Sequence, residues 1–262
     1  MPNPVRAFIN FNKKCYFALL KFFPNTKFSI YSYYREQVKA NLRDEIVILD
    51  IGGGKHCAFA EECRKFDGVK IIALDVSSEE LEYNHDADEK IVADIASGER
   101  VPLDDASADL VTSSSVLEHL HDLDSAVKEV SRILKPGGKF ISELPCKFTF
   151  FAMINRILPN WIARKILFSI FPEVKGFQGF KAYYDRCYYP ALKNLLSKHG
   201  FTHADFRFSY GQAGYFSFFV PFALIVMLWD FLMYIFRAKP LASYICFTAE
   251  KAMSEYTSRP QI

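Results

Sequence analysis

Hydrophobic and polar positions switch between two periods along this chain, and the switches lay out its elements. Val47-Ile48-Leu49-Asp50-Ile51 is a near-continuous apolar run that meets Gly52-Gly53-Gly54 at once. A run of that length ending in glycines predicts a buried parallel strand leading into a tight turn. Helix-compatible residues follow from Cys57 to Lys65, then a second apolar run from Val69 to Asp75. Lys90 to Ile95 reads as the third strand, Ser107 to Leu120 as a fourth strand running into a helix, and Phe140 to Pro145 as the fifth strand. Between the last two, Ala126 to Leu134 keeps a helical period, and Lys135-Pro136-Gly137-Gly138-Lys139 predicts a turn. A helix from Ala191 to His199 is stopped by Gly200. Phe201 to Phe208 and Leu241 to Ala249 supply two more strands. Strands alternating with helices predict an α/β fold with a Rossmann-like seven-stranded sheet.

Ahead of the first strand, Phe8, Phe11, Cys15, Leu19 and Phe22 recur at helical spacing, with Lys13, Lys14 and Lys21 on the other side. Pro24-Asn25 ends that helix, and Ile30 to Leu42 predicts a second. The apolar run Cys15 to Leu20 is too short to span a bilayer, and no small-residue cleavage site follows it, which argues against a signal peptide. A basic, aromatic, amphipathic helix suits a membrane surface and packing on its own domain equally well.

Composition adds aromatic weight: 26 Phe and 14 Tyr in 262 residues. A net charge of +2 gives no basic field of the kind nucleic-acid binders carry, so no nucleic-acid partner is expected. Six cysteines with no Cys-x-x-Cys pair read as reduced packing residues of a cytoplasmic protein.

The candidate chemistry lies at strand ends. Asp50, Asp75 and Asp94 close three successive strands, and in an open α/β sheet those ends face one crevice. Gly52 and Gly54 fill two places of a dinucleotide Gly-x-Gly-x-x-Gly, but Cys57 stands in the third, and no Gly-Lys-Ser/Thr of a P-loop is present. An acid at the second strand's end accepts from both ribose hydroxyls of NAD or of S-adenosylmethionine (SAM) alike. Taken in order, Asp50 with the glycines, Asp75, Asp94-Ile95 and Leu134-Lys135-Pro136-Gly137-Gly138 resemble the class I SAM-dependent methyltransferases of type 11, which include the quinone-biosynthesis enzymes. The resemblance covers about half of the chain and departs at His56, where that family has glycine or another small residue. It implies SAM as cofactor, held by Asp50, Gly52, Gly53, Gly54, Asp75, Val76, Asp94, Ile95 and Ser113, with Asp94 accepting from the adenine amine and Ile95 packing on the ring.

His119 is a candidate general base, because imidazole changes charge near neutral pH, and as readily a packing residue. Some members of that superfamily bind a divalent ion through Glu-x-x-Glu-His. Here Ser115 takes the first place before Glu118-His119, so no metal is expected. Tyr184 stands where the family places a histidine four residues before an aromatic, and it joins Tyr183 and Asp185 as a candidate for the substrate side.

Two apolar blocks interrupt the family pattern, at 146–180 and 211–240. Phe148 to Phe171 is almost all apolar, interleaved with Arg156, Arg164 and Lys165, and Pro159-Asn160 splits it into two short helices. Tyr215 to Phe236 has the length of a transmembrane helix and one charge, Asp230. The resemblance implies that the last strand pairs antiparallel between the fifth and sixth, so this block must leave and return on one side, and a single crossing is excluded. Both blocks leave from carboxyl ends of parallel strands and should overhang the active-site face. The expected layout is an amphipathic helical region at 1–42, a methyltransferase domain at 43–250 and a tail at 251–262. The expected activity is methyl transfer to a lipophilic or membrane-presented acceptor by an enzyme peripheral to the membrane, with oxygen, nitrogen and carbon all open as acceptor atom. Alternatives are a soluble small molecule or sugar under an apolar lid or dimer interface, or a SAM-fold binding protein without catalysis. Intact Asp50, Gly52, Gly54, Asp75 and Asp94 argue against the last.

Overall fold

The apolar runs become strands that share one sheet. In the computed structural model, which describes residues 4–159, 161–162, 165, 168 and 180–253, these are β1 (Val47–Ile51), β2 (Lys70–Asp75), β3 (Glu89–Val92), β4 (Ala108–Ser114), β5 (Leu134–Pro145), β6 (Phe201–Ser209) and β7 (Tyr244–Lys251). Their order is β3-β2-β1-β4-β5-β7-β6, and β7 runs antiparallel to both of its neighbours. The order reverses between β1 and β4, where an open α/β sheet places its ligand crevice.

Strand alternation sends neighbouring side chains to opposite faces. On one face, Ile48, Ile71, Leu110, Ile141 and Cys246 meet Tyr34 and Val38 of helix α2 (Ile30–Ala40) and Cys63 of the single turn α3 (Ala60–Cys63). On the other, Leu49, Val111, Phe140 and Phe247 meet Val127 and Val130 of α5 (Leu123–Ile133) and Leu192 and Leu196 of α7 (Tyr189–Lys198). A short α4 (Ser78–Glu82) follows β2. A third, smaller apolar cluster lies apart from the two sheet faces. It joins Tyr16 of α1 (Pro4–Leu20), Phe150 of α6 (Phe150–Ile157), and Ala223, Val226 and Met227 of α8 (Val220–Ile235). The two inserted blocks therefore pack on one another: Phe150 meets Phe222 and Trp229 edge-on, and Phe151 stacks on Tyr215 at 4.2 Å.

Several boundaries differ from the sequence expectation. The stretch after the glycine turn forms one helical turn instead of a helix over Cys57–Lys65. Cys57 and Phe59, two residues apart, both bury their side chains, an extended-chain spacing, and the Asp86 carboxylate takes the Cys57 N–H at 3.1 Å. α5 begins at Leu123 because Asp122 caps it, accepting from Asp124 N and Ser125 N. β3 stops at Val92, so Asp94 lies two residues past the strand. The expected turn at Lys135–Lys139 is a bulge within β5: Ala108 pairs with Leu134, and Leu110 then pairs with Lys139. Gly138 is required there, because a Cβ would lie 2.8 Å from Lys135 O and 3.0 Å from Asp109 O. α8 has 16 residues, about 24 Å at 1.5 Å per residue, against a hydrocarbon core of about 30 Å. Among the described residues no helix is long and apolar enough to cross a membrane. Residues 163–164, 166–167 and 169–179 of the first block, with Arg164 among them, and the tail from residue 254 lie outside the described residues.

One buried acid fastens α8 to the sheet. The Asp230 carboxylate accepts from Gln212 N at 2.8 Å, Gln212 Nε2 at 3.0 Å and Ser243 Oγ at 3.3 Å, and burial pushes its pKa up. Gln212 Oε1 in turn accepts from Phe150 N at the start of α6. Replacing Asp230→Leu strands three donors at once. It should lower unfolding free energy by roughly 2–4 kcal/mol, with Asp230→Asn closer to wild type, as read from urea denaturation.

Candidate active site

The glycine turn is held from both sides. Gly52 N and Gly53 N donate to Leu74 O of β2 at 2.8 and 3.2 Å, and the fully buried Asn84 donates through Nδ2 to Gly53 O and Gly54 O at 2.9 and 3.1 Å. Gly52 has φ +73°, and a Cβ there would lie 2.2 Å from Val116 Cγ2, so both backbone and space demand glycine. His56, the departure from the family pattern, is 80 % exposed and faces Asp86 at 3.8 Å.

The strand-end acids do gather. The Asp75 carboxylate accepts from Gly54 N at 3.1 Å and Ser77 N at 2.9 Å, which ties the end of β2 to the glycine turn. Asp50 is buried and accepts from Thr112 Oγ1 at 2.8 Å. Burial pushes its pKa up to about 7, the Thr112 bond opposes the rise, and the Asp75 charge adds to it. Asp94 keeps a partly exposed carboxylate that accepts from Ala96 N at 2.8 Å, 3.9 Å from His121 Nδ1. Val76 is half-exposed beside Asp75. Ile95 is 2 % exposed and spent in the main core, and Ser113 is fully buried on the face opposite Asp50. The crevice therefore brings together Asp50, Gly52, Gly53, Gly54, Asp75, Val76 and Asp94, while Ile95 and Ser113 point into packing.

Across β4 from the glycine turn lies a second group. The chain leaves β4 through Ser115 (φ +53°) into a short turn, Leu117–His119. His119 Nδ1 sits 3.1 Å from Lys181 O; a carbonyl only accepts, so Nδ1 carries the proton and Nε2 is left with its lone pair. Burial lowers the His119 pKa, so the ring is neutral at neutral pH. Tyr183 N and Tyr184 N both donate to Glu118 O, at 2.8 and 2.9 Å, which draws Tyr184 (φ +54°) down beside this turn. Burial raises the Tyr184 phenol pKa. Asp185 is turned away, its carboxylate accepting from Leu123 N at the start of α5.

Three members of this group, Glu143, Tyr215 and Tyr244, escaped sequence reasoning, and Glu118 was weighed there only as an ion ligand. Glu118 is buried and its pKa is pushed up to about 8, first by burial and then by Glu143. Glu143 accepts from Ser114 Oγ and Ser115 Oγ, both at 2.8 Å, and burial raises its pKa too. Tyr215 and Tyr244 are hydrogen-bonded to one another beside them. Glu143 was legible as an acid inside an apolar strand; Tyr215 and Tyr244 carry no local signal. Ser115 is bound to Glu143, and among the described residues no three His, Cys, Asp or Glu side chains gather as an ion site.

Residues 49–142 match the methyltransferase domain family of type 11. These residues are a SAM-dependent methyltransferase domain of that type. Its stretch is 29 % identical over 124 residues to a mitochondrial arginine hydroxylase of Danio rerio (44 % of this chain, 38 % of the relative). It is 34 % identical over 109 residues to a sterol 4-C-methyltransferase of Caenorhabditis elegans (39 % and 32 %). The match thus spans about a third of the length of these curated relatives. The geranyl diphosphate C-methyltransferase of Streptomyces coelicolor shares the fold at a TM-score of 0.53 and 14 % identity, covering 85 % of this chain and 80 % of that one. A methyltransferase domain of this type takes SAM as methyl donor, and the crevice fits it: a strand-end acid, Asp75, whose carboxylate oxygens can accept further hydrogen bonds beyond those from Gly54 N and Ser77 N, a turn that tolerates no side chain at Gly52, and an open apolar Val76 next to them.

Two outcomes follow for this site. Asp75→Ala should weaken SAM binding by about 1.5–3 kcal/mol, a ten- to hundredfold loss in calorimetric titration, and Gly52→Val should abolish it. Asp50 and Glu118 hold protons more tightly folded than unfolded, so their contribution to stability is complete below pH 4 and is lost as pH rises through about 7 and about 8 respectively. Urea midpoints of the ligand-free protein measured from pH 5 to 8 should therefore fall less steeply in Glu118→Gln and in Asp50→Asn than in wild type, the difference reaching at most about 1.4 kcal/mol per pH unit for each group.

Proposed function

We propose that this protein transfers the methyl group of SAM to a lipophilic acceptor while docked on a membrane surface. The observation that carries this reading is an exposed apolar row on two helices that pack together. On α8, Ile225, Leu228, Leu232 and Phe236 follow one helical face and stay exposed, Phe236 at 72 %. On α1, Phe8 and Phe11 do the same, and Asn12 Oδ1 accepts from Val220 N to tie α1 to the start of α8. Ile157 of α6 is exposed as well, and Lys21 and Arg237 stand just beyond the ends of α1 and α8. Leaving such side chains in water forgoes about 1.5–3 kcal/mol each, which a lipid interface restores, and basic residues beside them favour anionic headgroups. The inner side of the same layer, through Phe151 and Tyr215, borders the Glu118 group, which supports an acceptor delivered from the membrane side. A sterol-methylating relative supports a lipophilic acceptor.

On this reading SAM supplies an activated methyl on a sulfonium, and the protein's task is to orient an acceptor in line with it and exclude water. Liposome flotation tests the docking. The protein should float with anionic vesicles, and serine at positions 225, 228, 232 and 236 together (Ile225→Ser, Leu228→Ser, Leu232→Ser, Phe236→Ser) should leave it at the bottom of the gradient with SAM binding intact. A wild-type protein that stays with the soluble fraction on anionic and neutral vesicles overturns the membrane reading, and a concentration-dependent dimer lost in the same variant would assign the row to a second copy.

A further inference from the structure

Glu118 Oε2 is buried without any hydrogen-bond partner. A carboxylate oxygen in that position costs stability unless something the protein itself lacks completes it. The walls around it come from separate parts of the chain: Glu143 from β5, Tyr184 from the segment before α7, Tyr215 from the turn before α8, and Tyr244 from the start of β7. They stand close enough that the charges of Glu118 and Glu143 act on Tyr215, that of Glu118 on Tyr184, and that of Glu143 on Tyr244. Phe151 closes the apolar side, stacked on Tyr215 and 6.1 Å from Tyr244.

Charge is what this chamber lacks. Among the described residues no Lys or Arg stands within ion-pair distance of Glu118 or Glu143; the nearest base is His119, with Nε2 3.9 Å from Glu118 Oε1. Burial favours the protonated form of both acids, and a neutral hydroxyl would satisfy Oε2 without supplying the charge that lets them ionise. A cation answers both needs, and phenol rings add a favourable face to it. The chamber also adjoins the methyl donor's place, because Val116, two residues before Glu118, is the side chain against which Gly52 packs.

We propose that Glu118 and Glu143 receive the ammonium head of a lipophilic amine, which makes nitrogen the acceptor atom. This rests on the methyltransferase reading above and deepens it. Glu118 takes one proton from the ammonium. The freed nitrogen lone pair forms the new N–C bond as the methyl leaves sulfur, the C–S pair stays on sulfur as a thioether, and the product is a methylated ammonium. Two carboxylates match the two positive charges, ammonium and sulfonium, that meet there.

Calorimetric titration of the full chain tests this with two probes of equal length, octylamine and 1-octanol, in the presence of saturating S-adenosylhomocysteine. Octylamine should bind at least about tenfold more tightly than octanol, and Glu118→Gln should remove that preference while octanol and S-adenosylhomocysteine binding stay unchanged. Tyr215→Phe, on the accessible wall, should weaken the amine alone and serves if the glutamine variant does not fold. Equal binding of the two probes, or an amine affinity that Glu118→Gln leaves untouched, overturns the proposal. So does a Glu118→Gln protein that loses only its preference for SAM over S-adenosylhomocysteine, which would assign the carboxylates to the sulfonium. If S-adenosylhomocysteine fails to bind wild type, the methyltransferase reading falls instead, and the amine titration is read without it.

Discussion

The antiparallel pairing of β7 with both β5 and β6 is the interaction on which the rest of this molecule depends. It brings the end of β5, the start of β7 and the end of β6 to one point, where Cys146 N donates to Ser243 O at 2.9 Å and Ser243 N donates to Ser209 O at 2.8 Å. Both apolar insertions are rooted there, so α6 and α8 must meet, and α1 finds its apolar partner on the layer they make. The same pairing delivers Tyr244 beside Glu143, since Cys246, two residues along, is the register partner of Glu143. Ladder hydrogen bonds are individually modest, but they leave this corner no alternative arrangement.

Around that corner the protein accepts an electrostatic burden. Asp50, Glu118, Glu143 and Asp230 are all buried, and burial raises the pKa of each. They are not equivalent. Asp230 is saturated by Gln212 and Ser243 and is architectural; Asp50 has Thr112; Glu143 has two serine hydroxyls. Of the four, Glu118 has a fully buried oxygen, Oε2, that no donor reaches. Fully satisfied buried polar networks stabilise a specific arrangement, whereas an unpartnered buried oxygen costs stability.

Much of the cofactor side was legible along the chain. Asp50, the three glycines and Asp75 are neighbours in sequence or end adjacent parallel strands, so local pattern plus the geometry of an open sheet suffices to bring them together. Where local reading failed, a distant residue had intervened. Asp86 and the burial of Phe59 shortened the expected helix after the glycine turn, and Asp122 started α5 a turn early. Ile95 looked like a ring-packing residue beside Asp94, yet its side chain turned into the core once β3 had ended at Val92.

By itself, then, the sequence determined the sheet, the glycine turn, the strand-end acids and the presence of two apolar insertions, because period and turn chemistry act over a few residues. Only the tertiary structure decided that the insertions pack together with α1 and leave one apolar row outward. It alone assembled Glu118, Glu143, Tyr184, Tyr215 and Tyr244, drawn from up to 126 positions apart, into one buried cluster. No local signal marks their grouping, since it exists only where the register of β7 and the left-handed turn at Tyr184 bring distant side chains together.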